Sequence, residues 1–164
     1  FTVGFRANSP YVELKLLALA TENTAAQNAL LDDLLSHLQE NLIGPAKSTV
    51  ACALINALAA QNKTVSSAES CTGGMIASLI TQIAGASKVF PGSIISYSNT
   101  VKSTLLAVPC DTLERDGAVS KATVIAMLNG VLTSINTDYG IAVSGIAGPD
   151  GGSVEKPVGT VWIA

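Results

Sequence analysis

The sequence predicts an α/β fold, a three-layer α/β/α sandwich with a central mixed, largely parallel sheet, preceded by a small ββα unit. Apolar β-prone runs alternate with segments of helical spacing across residues 46–164, as in proteins built from βαβ units. Glycine-rich polar loops follow two of those runs, at 69–74 and 144–152. Hydrophobic residues make up 48% of the 164 residues and charged ones 13%, which favours a packed domain over a disordered chain.

The first 43 residues predict the ββα unit. Two strands are expected over 1–7 and 11–20, separated by a turn at 8–10. A helix is expected from a cap at 21–23 to about Leu42, because leucines recur four apart along it. A unit of this size is too small for an independent core, so we expect it to belong to a larger neighbour.

The larger part of the chain continues the alternation of helices and strands. The expected elements are a helix over 46–61, a strand ending at Glu69, a helix after Gly74, a strand over 93–98, a short helix over 100–106 capped by Asn99, a loop over 109–117, a long helix from Val119 to Ile135, a strand over 139–143 and a last strand over 157–164. In such sheets, ligands bind at the carboxyl ends of the strands. The loops at 69–74, 97–102 and 144–152 all begin there, so we expect them to converge.

Composition and charge exclude several classes of function. The formal net charge is −3 and no stretch is rich in lysine or arginine, so extended binding to nucleic acid is not expected. No apolar run approaches the length of a membrane span and no signal peptide is visible. Both ends read as interior strands, so we expect the chain to be part of something longer.

Cysteine and histidine usage argues against a disulfide framework or a metal site. The three cysteines, Cys52, Cys71 and Cys110, are scattered without CxxC spacing, so a reducing cytoplasm is the expected location. His37, the single histidine, lies on the polar side of a predicted helix and is expected to be solvated. We therefore expect neither a metal nor a cofactor.

Three polar residues at strand ends could carry chemistry: Ser70, Tyr97 and Lys102. A serine hydroxyl is a weak nucleophile until a base removes its proton, and without a usable histidine the base would be a lysine of lowered pKa or a phenolate. Each residue also has a plain structural interpretation. Ser70 can cap a helix, Tyr97 can be a core aromatic, and Lys102 can be a solvated charge. Cys71 is the rival nucleophile, although a buried small hydrophobe is its commoner role.

The residues around Ser70 would complete such a site. Thr72, Gly73 and Gly74 open the following helix, and their backbone N–H groups could stabilise an oxyanion or bind an anion. Glu69 could either orient Lys102 or accept a hydrogen bond from a ligand hydroxyl. The sequence alone leaves these two roles open.

Five motifs occur in order with family-like spacing. They are Ala68-Glu69-Ser70-Cys71-Thr72-Gly73-Gly74, Tyr97-Ser98-Asn99 with Lys102, Gly117-Ala118-Val119-Ser120, Ser144 through Gly152, and Lys156-Pro157-Val158-Gly159. Together they resemble the CinA C-terminal domain, the nicotinamide mononucleotide deamidase family, over residues 46–164. Residues 1–43 resemble part of the KH-like linker domain of full-length CinA. That linker joins the catalytic domain to an N-terminal molybdopterin-binding-like domain.

The resemblance implies hydrolysis of nicotinamide mononucleotide to nicotinate mononucleotide and ammonia, a step of pyridine-nucleotide salvage. Ser70 would be the nucleophile, and Lys102 with Tyr97 the base and acid. The implied substrate or oxyanion contacts are Thr72, Gly73, Gly74, Asn99, Ser144 and Gly145, and the family commonly dimerises. Family members continue beyond the strand that ends at Ala164, into a segment whose arginine is a natural phosphate ligand.

Two alternatives to catalysis stay open from the sequence. The same loops could serve a nucleotide-binding regulatory or scaffold domain without turnover, linked to competence or DNA damage. A DNA-binding role is a third possibility, and the acidic composition weighs against it.

Overall fold

The computed structural model describes residues 2–17, 24–45 and 48–164. The chain divides into two compact units, Phe1–Val50 and Ala51–Ala164. The second unit contains a four-stranded mixed sheet with helices on its faces, so the predicted α/β class is confirmed.

The first unit contains a hairpin and a helix. Strands β1 (Thr2–Asn8) and β2 (Tyr11–Leu17) pair antiparallel, with Asn8 opposite Tyr11. Helix α1 (Thr24–Leu38) ends earlier than expected and passes into a 3₁₀ turn. None of the described side chains of α1 is buried. The expected end of the second strand and the helix cap fall on 18–23, outside the described residues.

The second unit alternates helices and strands as expected. Its elements are α2 (Val50–Ala60), β3 (Val65–Glu69), α3 (Met75–Thr81), β4 (Gly92–Ile95), α4 (Asn99–Leu106), α5 (Cys110–Asp116), α6 (Lys121–Ile135), β5 (Tyr139–Gly145) and β6 (Val161–Ile163). The strand order is β4-β3-β5-β6. The first three strands are parallel and β6 is antiparallel to β5, so the carboxyl ends of β3, β4 and β5 share one edge.

Alternation along the strands separates two cores. Val65 belongs to a buried cluster with residues of α2 and α3, whereas Ala68 belongs to a cluster with residues of α4, α5 and α6. Because successive side chains of a strand point to opposite faces, odd positions of β3 face α3 and even positions face α4 and α6. Ala142 of β5 lies in the same cluster as Ala68. Which face a residue belongs to therefore decides which helix it can reach.

Two sequence predictions about local structure were wrong. The expected loop over 109–117 contains α5, because Pro109 occupies the N-cap and Gly117 closes the helix with a positive φ of 78°. A proline at a helix start and a glycine just beyond its end are the preferred boundaries of a helix. Asn99 does not cap α4; Ser98 does, and its Oγ accepts a hydrogen bond from the N–H of Val101 at 3.2 Å.

Two strands are shorter than predicted. Strand β4 ends at Ile95 because Ser96–Ser98 turn into α4, although the Ser96 N–H still donates to the carbonyl of Glu69 at 2.7 Å. Strand β6 covers only 161–163, because a turn closes between Pro157 and Thr160. Among the helices within 2–17, 24–45 and 48–164, none is long and apolar enough to cross a membrane.

Candidate active site at the carboxyl edge of the sheet

Ser70 and Lys102 meet at the carboxyl end of β3. The Lys102 Nζ lies 2.9 Å from the Ser70 Oγ. Lys102 is fully buried and Ser70 is 6% exposed. Ser70 follows the strand at an even position and so faces α4, where Lys102 lies one turn into the helix. The local geometry places a lysine nitrogen directly beside a hydroxyl.

The amine of Lys102 has two further partners, both of them neutral. Its Nζ donates to the carbonyl of Ser96 at 2.7 Å and to the carbonyl of Tyr97 at 3.1 Å. No carboxylate forms an ion pair with Lys102 among the described residues. Desolvation by burial lowers the pKa of Lys102 below its ordinary value of 10.5, although nearby Cys71 opposes the shift. The surroundings therefore favour the neutral amine.

The protonation state of the amine decides the direction of its contact with Ser70. A protonated amine has three N–H donors, one for the Ser70 hydroxyl and two for the carbonyls of Ser96 and Tyr97, which can only accept. A neutral amine keeps two N–H donors for the carbonyls and presents its lone pair to the hydroxyl proton of Ser70. The arrangement can take a proton from Ser70, which is what a general base for a serine nucleophile must do.

Glu69 accepts hydrogen bonds from main-chain N–H groups at the start of the neighbouring helix, α3. Its Oε2 accepts hydrogen bonds from the N–H groups of Gly74 and Ile76 at 3.0 and 3.1 Å, and its Oε1 from the N–H of Ala77 at 2.9 Å. Glu69 sits at an odd position of β3 and so faces α3, away from Lys102. Of the two roles left open by the sequence, orienting Lys102 finds no support in these contacts. The side chain is fully buried and its oxygens are committed to the start of α3.

The charge of Glu69 is maintained by these donors. Burial raises the pKa of Glu69. The nearby Thr72 hydroxyl and the amides of Ala77, Ile76 and Gly74 lower it by more than burial raises it, so the net pKa falls below the ordinary 4.5. The Thr72 Oγ1 lies outside hydrogen-bond geometry and is buried with no partner among the described residues. We therefore assign the effect to the three amides, which also receive the carboxylate at the positive end of the helix dipole.

Some of the main-chain N–H groups after Ser70 already donate hydrogen bonds, and others are open, that is, without an acceptor among the described residues. The Gly73 N–H donates to the Ser70 carbonyl at 3.1 Å and the Gly74 N–H to Glu69. The N–H groups of Cys71 and Thr72 have no acceptor among the described residues. The sequence had pointed to Thr72, Gly73 and Gly74 as donors, whereas the open pair is Cys71 and Thr72. Gly73 has a φ of +58° and open space above it.

Tyr97 and Asn99 have exposed side chains. Tyr97 is 74% exposed, and its contact with Lys102 is made by its carbonyl rather than its phenol. Asn99, the first residue of α4, borders a surface cleft with Thr100 and Glu114 that includes neither Ser70 nor Lys102. In this conformation both side chains lie apart from the buried pair.

Ser144 and Gly145 lie on the strand next to Ser70. The Ser70 N–H donates to the carbonyl of Val143 at 3.0 Å, so Ser144 follows directly beside it and shares its face of the sheet. The Ser144 Oγ donates to the carbonyl of Ala118 at 2.7 Å. A Cβ at Gly145 would lie 2.9 Å from the Cys71 Sγ, so the glycine leaves room for the thiol to pack there.

The sequence missed groups of the site that belong to the main chain. The carbonyls of Ser96 and Tyr97 hold Lys102, the carbonyl of Ala118 holds Ser144, and the open N–H of Cys71 follows Ser70. No residue type marks such groups. The alternation of β3 was the available signal, because it separates Glu69 from Ser70 before any contact is known.

The remaining sequence candidates lie elsewhere. The His37 side chain is exposed within α1 and its Nδ1 lies 2.8 Å from the carbonyl of Asp33. In the part of the chain that the structure describes, no three histidine, cysteine, aspartate or glutamate side chains are grouped to hold a metal.

Comparison with known proteins finds a family model and relatives that match this chain. The family model for the CinA C-terminal domain matches residues 47–164. A CinA-like protein from Colwellia psychrerythraea is 45% identical over 99% of this chain and 38% of its own length. One from Prochlorococcus marinus is 43% identical over 99% of this chain and 39% of its own length. The chain thus spans well under half the length of these relatives.

Solved structures of proteins named as competence/damage-inducible proteins are also similar to this chain. The competence/damage inducible protein CihA from Agrobacterium tumefaciens is 44% identical, with a TM-score of 0.69 over 70% of this chain and 69% of that chain. The competence damage-inducible protein A (ComA) from Klebsiella pneumoniae is 37% identical, with a TM-score of 0.68 over 70% of this chain and 71% of that chain. With its Ser70–Lys102 pair at the edge of a sheet of this fold, the chain belongs to the CinA C-terminal domain family.

Proposed function

We propose that the chain is an amidohydrolase that converts nicotinamide mononucleotide to nicotinate mononucleotide and ammonia. The observation that carries the proposal is the 2.9 Å contact between the Lys102 Nζ and the Ser70 Oγ, made by a buried amine with no carboxylate partner. Membership of the CinA C-terminal domain family supports this choice of substrate.

In the proposed reaction, Ser70 attacks the carboxamide carbon while its proton passes to the Lys102 Nζ. The tetrahedral intermediate collapses when its nitrogen takes the proton held on Lys102, directly or through the Tyr97 phenol, and the C–N bond breaks to release ammonia. An ester of Ser70 remains, and water then attacks it while Lys102 accepts the water proton. The second intermediate collapses as the bond from carbon to the Ser70 Oγ breaks, Lys102 returns the proton to that oxygen, and nicotinate mononucleotide leaves. The base returns to the neutral amine after each half-reaction.

The open N–H groups are the proposed oxyanion donors. The residue that follows a serine nucleophile often supplies such an N–H, and here that residue is Cys71. The Thr72 N–H is the second open donor. Removing one donor from an oxyanion site typically costs about 10²–10³-fold in kcat, so this pair would supply a substantial part of the rate enhancement.

The other predicted contacts are proposed for substrate. The buried Thr72 Oγ1 has no partner among the described residues and is the first candidate to bind it. The open space at Gly73 would admit the nicotinamide ring. The other proposed neighbours of the nucleotide are Gly74, Asn99, Ser144 and Gly145. Glu69 is proposed to contribute indirectly, because its carboxylate holds the start of α3. The phenol of Tyr97 is proposed as an acid that approaches when substrate binds.

The test of the proposal is ammonia release from nicotinamide mononucleotide. We expect Ser70→Ala to reduce kcat by at least about a thousandfold without loss of folding, because no other hydroxyl contacts the Lys102 amine in the described structure. Ser78→Ala is the matched control, since Ser78 is exposed on α3. Wild-type activity in Ser70→Ala would exclude the proposed nucleophile.

A binding function without turnover is the second candidate. Ser70 is only 6% exposed, which is consistent with a site that binds a nucleotide in a regulatory or scaffold role. Calorimetric binding of the mononucleotide without ammonia release would favour this function over catalysis.

We further propose the organisation of the whole protein. Residues 1–43 are proposed as part of a KH-like linker and 46–164 as the deamidase domain, in a cytoplasmic protein that forms a homodimer. The greater length of the relatives is consistent with additional domains, of which a molybdopterin-binding-like domain is the proposed one. Light scattering of the purified protein would test the homodimer.

A further inference from the structure

The start of α6 borders a basic cleft of about 600 Å³. Arg115, Lys121 and Lys156 line it, together with Asp116 and Ser120. The chain has nine lysines and arginines in all and a net charge of −3. A third of its cationic side chains is therefore gathered at one cleft, against the sign of the whole molecule.

Only part of this charge is neutralised within the cleft. The Arg115 guanidinium pairs with the Asp116 carboxylate through two contacts, of 2.8 and 3.3 Å. Lys156 donates to the main-chain carbonyl of Asp116 at 2.7 Å, which leaves its charge uncompensated. Lys121 is exposed and forms no ion pair with any described residue. Two positive charges remain, which matches the charge of a phosphate monoester near pH 7.

Main-chain donors add to these cations. The N–H groups of Thr123 and Val124 are taken by Ser120, whose Oγ and carbonyl cap the helix. Those of Lys121 and Ala122 precede any intrahelical partner, and both residues line the cleft. Free N–H groups beside lysine side chains can bind phosphate oxygens.

Other helix starts at this edge do not offer the same chemistry. At α3 the leading N–H groups are consumed by the carboxylate of Glu69. At α4 the neighbouring cleft includes Glu114 and no lysine or arginine. Ala118 lies two residues before Ser120 of the cleft, and its carbonyl accepts a hydrogen bond from Ser144, the residue opposite Ser70 on the next strand.

We propose that this cleft binds a phosphate monoester through Lys121, Lys156 and the first N–H groups of α6. We expect the bound phosphate to be that of the mononucleotide substrate, and that identification rests on the proposed function. The proposal that the cleft binds a phosphate monoester does not rest on the proposed function. A separate phosphorylated molecule would present the same chemistry to the cleft.

Titration of the 164-residue chain with inorganic phosphate tests the site directly. Amide NMR signals of Lys121 and Ala122 should shift with phosphate and not with chloride at equal ionic strength. Lys121→Gln should weaken phosphate binding about tenfold or more, because it removes a charged partner. Lys88→Gln removes an exposed lysine outside the cleft and should bind as wild type does. Absence of phosphate-specific shifts, or unchanged affinity in Lys121→Gln, would overturn the proposal.

A kinetic comparison identifies the source of the phosphate. If the substrate's phosphate occupies the cleft, inorganic phosphate competes with nicotinamide mononucleotide. Lys121→Gln then lowers the ratio of kcat/KM for the mononucleotide to that for nicotinamide riboside. Phosphate-specific shifts without competition would support the site and overturn the substrate as its source. If the wild-type chain releases no ammonia, the proposed function fails while the NMR titration still decides whether the cleft binds phosphate.

Discussion

Lys102 shows how burial converts an ordinary side chain into a possible base. Its Nζ meets two carbonyls and one hydroxyl and no carboxylate in the described structure. In water a lysine amine is protonated at neutral pH. In this site desolvation lowers the pKa of Lys102, so the base becomes available at a lower pH than in solution.

The pH dependence of turnover follows from that shift. Lys102 acts as a base only when neutral, so kcat/KM for the mononucleotide should rise with pH through a midpoint below 10.5, the ordinary lysine value. Lys102→Met should lose activity by about 10²–10⁴-fold, the usual contribution of a general base. The measurement is a pH–rate profile of both proteins. A wild-type profile without a rising limb in this range would contradict the assignment of Lys102 as the base.

At the scale of the element, β3 distributes two adjacent polar residues to different helices. Glu69 faces α3 and caps it, whereas Ser70 faces α4 and meets Lys102. A shift of one residue in the register of β3 would exchange these roles, because the period of a strand is two. The parallel pairing of β3 with both β4 and β5 holds the register.

Glu69→Gln should destabilise the protein by about 1–3 kcal/mol at neutral pH, because charge-assisted hydrogen bonds to three N–H groups are weakened. The folded pKa of Glu69 lies below its ordinary 4.5. The stabilisation is therefore present above pH 4.5 and lost as the pH falls through the folded pKa. Urea unfolding at several pH values measures the difference, with exposed Glu114→Gln as control. If wild type and Glu69→Gln still differed in free energy of unfolding at the lowest pH measured, below the folded pKa of Glu69, this account would be contradicted.

The packing of α6 against α4 sets the position of Lys102. A Cβ at Gly130 of α6 would clash with the carbonyl oxygen of Leu106, at the end of α4. Gly130→Ala must push the two helices apart, and overpacking of this kind costs about 1–3 kcal/mol. We expect a lower midpoint in thermal unfolding and reduced turnover, while Asn129→Ala, exposed on the same helix, changes neither. Unaltered stability in Gly130→Ala would refute the close contact.

At the scale of the whole molecule, the two units differ in their cores. Both buried clusters lie within 51–164, whereas α1 has no buried residue among those described. The stability of the second unit should therefore depend little on the first.

Removal of residues 1–47 tests this difference. The shortened chain keeps α2, which supplies Ile55 and Leu58 to the core. We expect it to unfold cooperatively, with a calorimetric midpoint within a few degrees of that of the α/β transition in the full chain. Loss of cooperative unfolding would show that residues 1–47 are required for the core.

The sequence predicted the class of the fold and the convergence of the loops that carry Ser70 and Lys102, since these follow from periodicity and from the common edge of parallel strands. Tyr97 was expected in the same set, but only its carbonyl contacts Lys102 and its side chain is exposed. It did not predict α5, because the Pro109–Gly117 bracket is compatible with a loop as well as a short helix. Nor did it decide which donors after Ser70 stay open. That depends on Glu69 taking the N–H of Gly74 and on the Ser70 carbonyl taking that of Gly73.

By itself, then, the sequence determined the alternation of strands and helices, because hydrophobic period and glycine placement act locally along the chain. Only the tertiary structure decided the electrostatics. Three of its features depend on segments that are distant in sequence. They are the burial of Lys102, the hydrogen bonds of Glu69 to α3, and the grouping of Arg115, Lys121 and Lys156 at one cleft. Desolvation and hydrogen bonding are properties of the packed environment, and no single segment carries them.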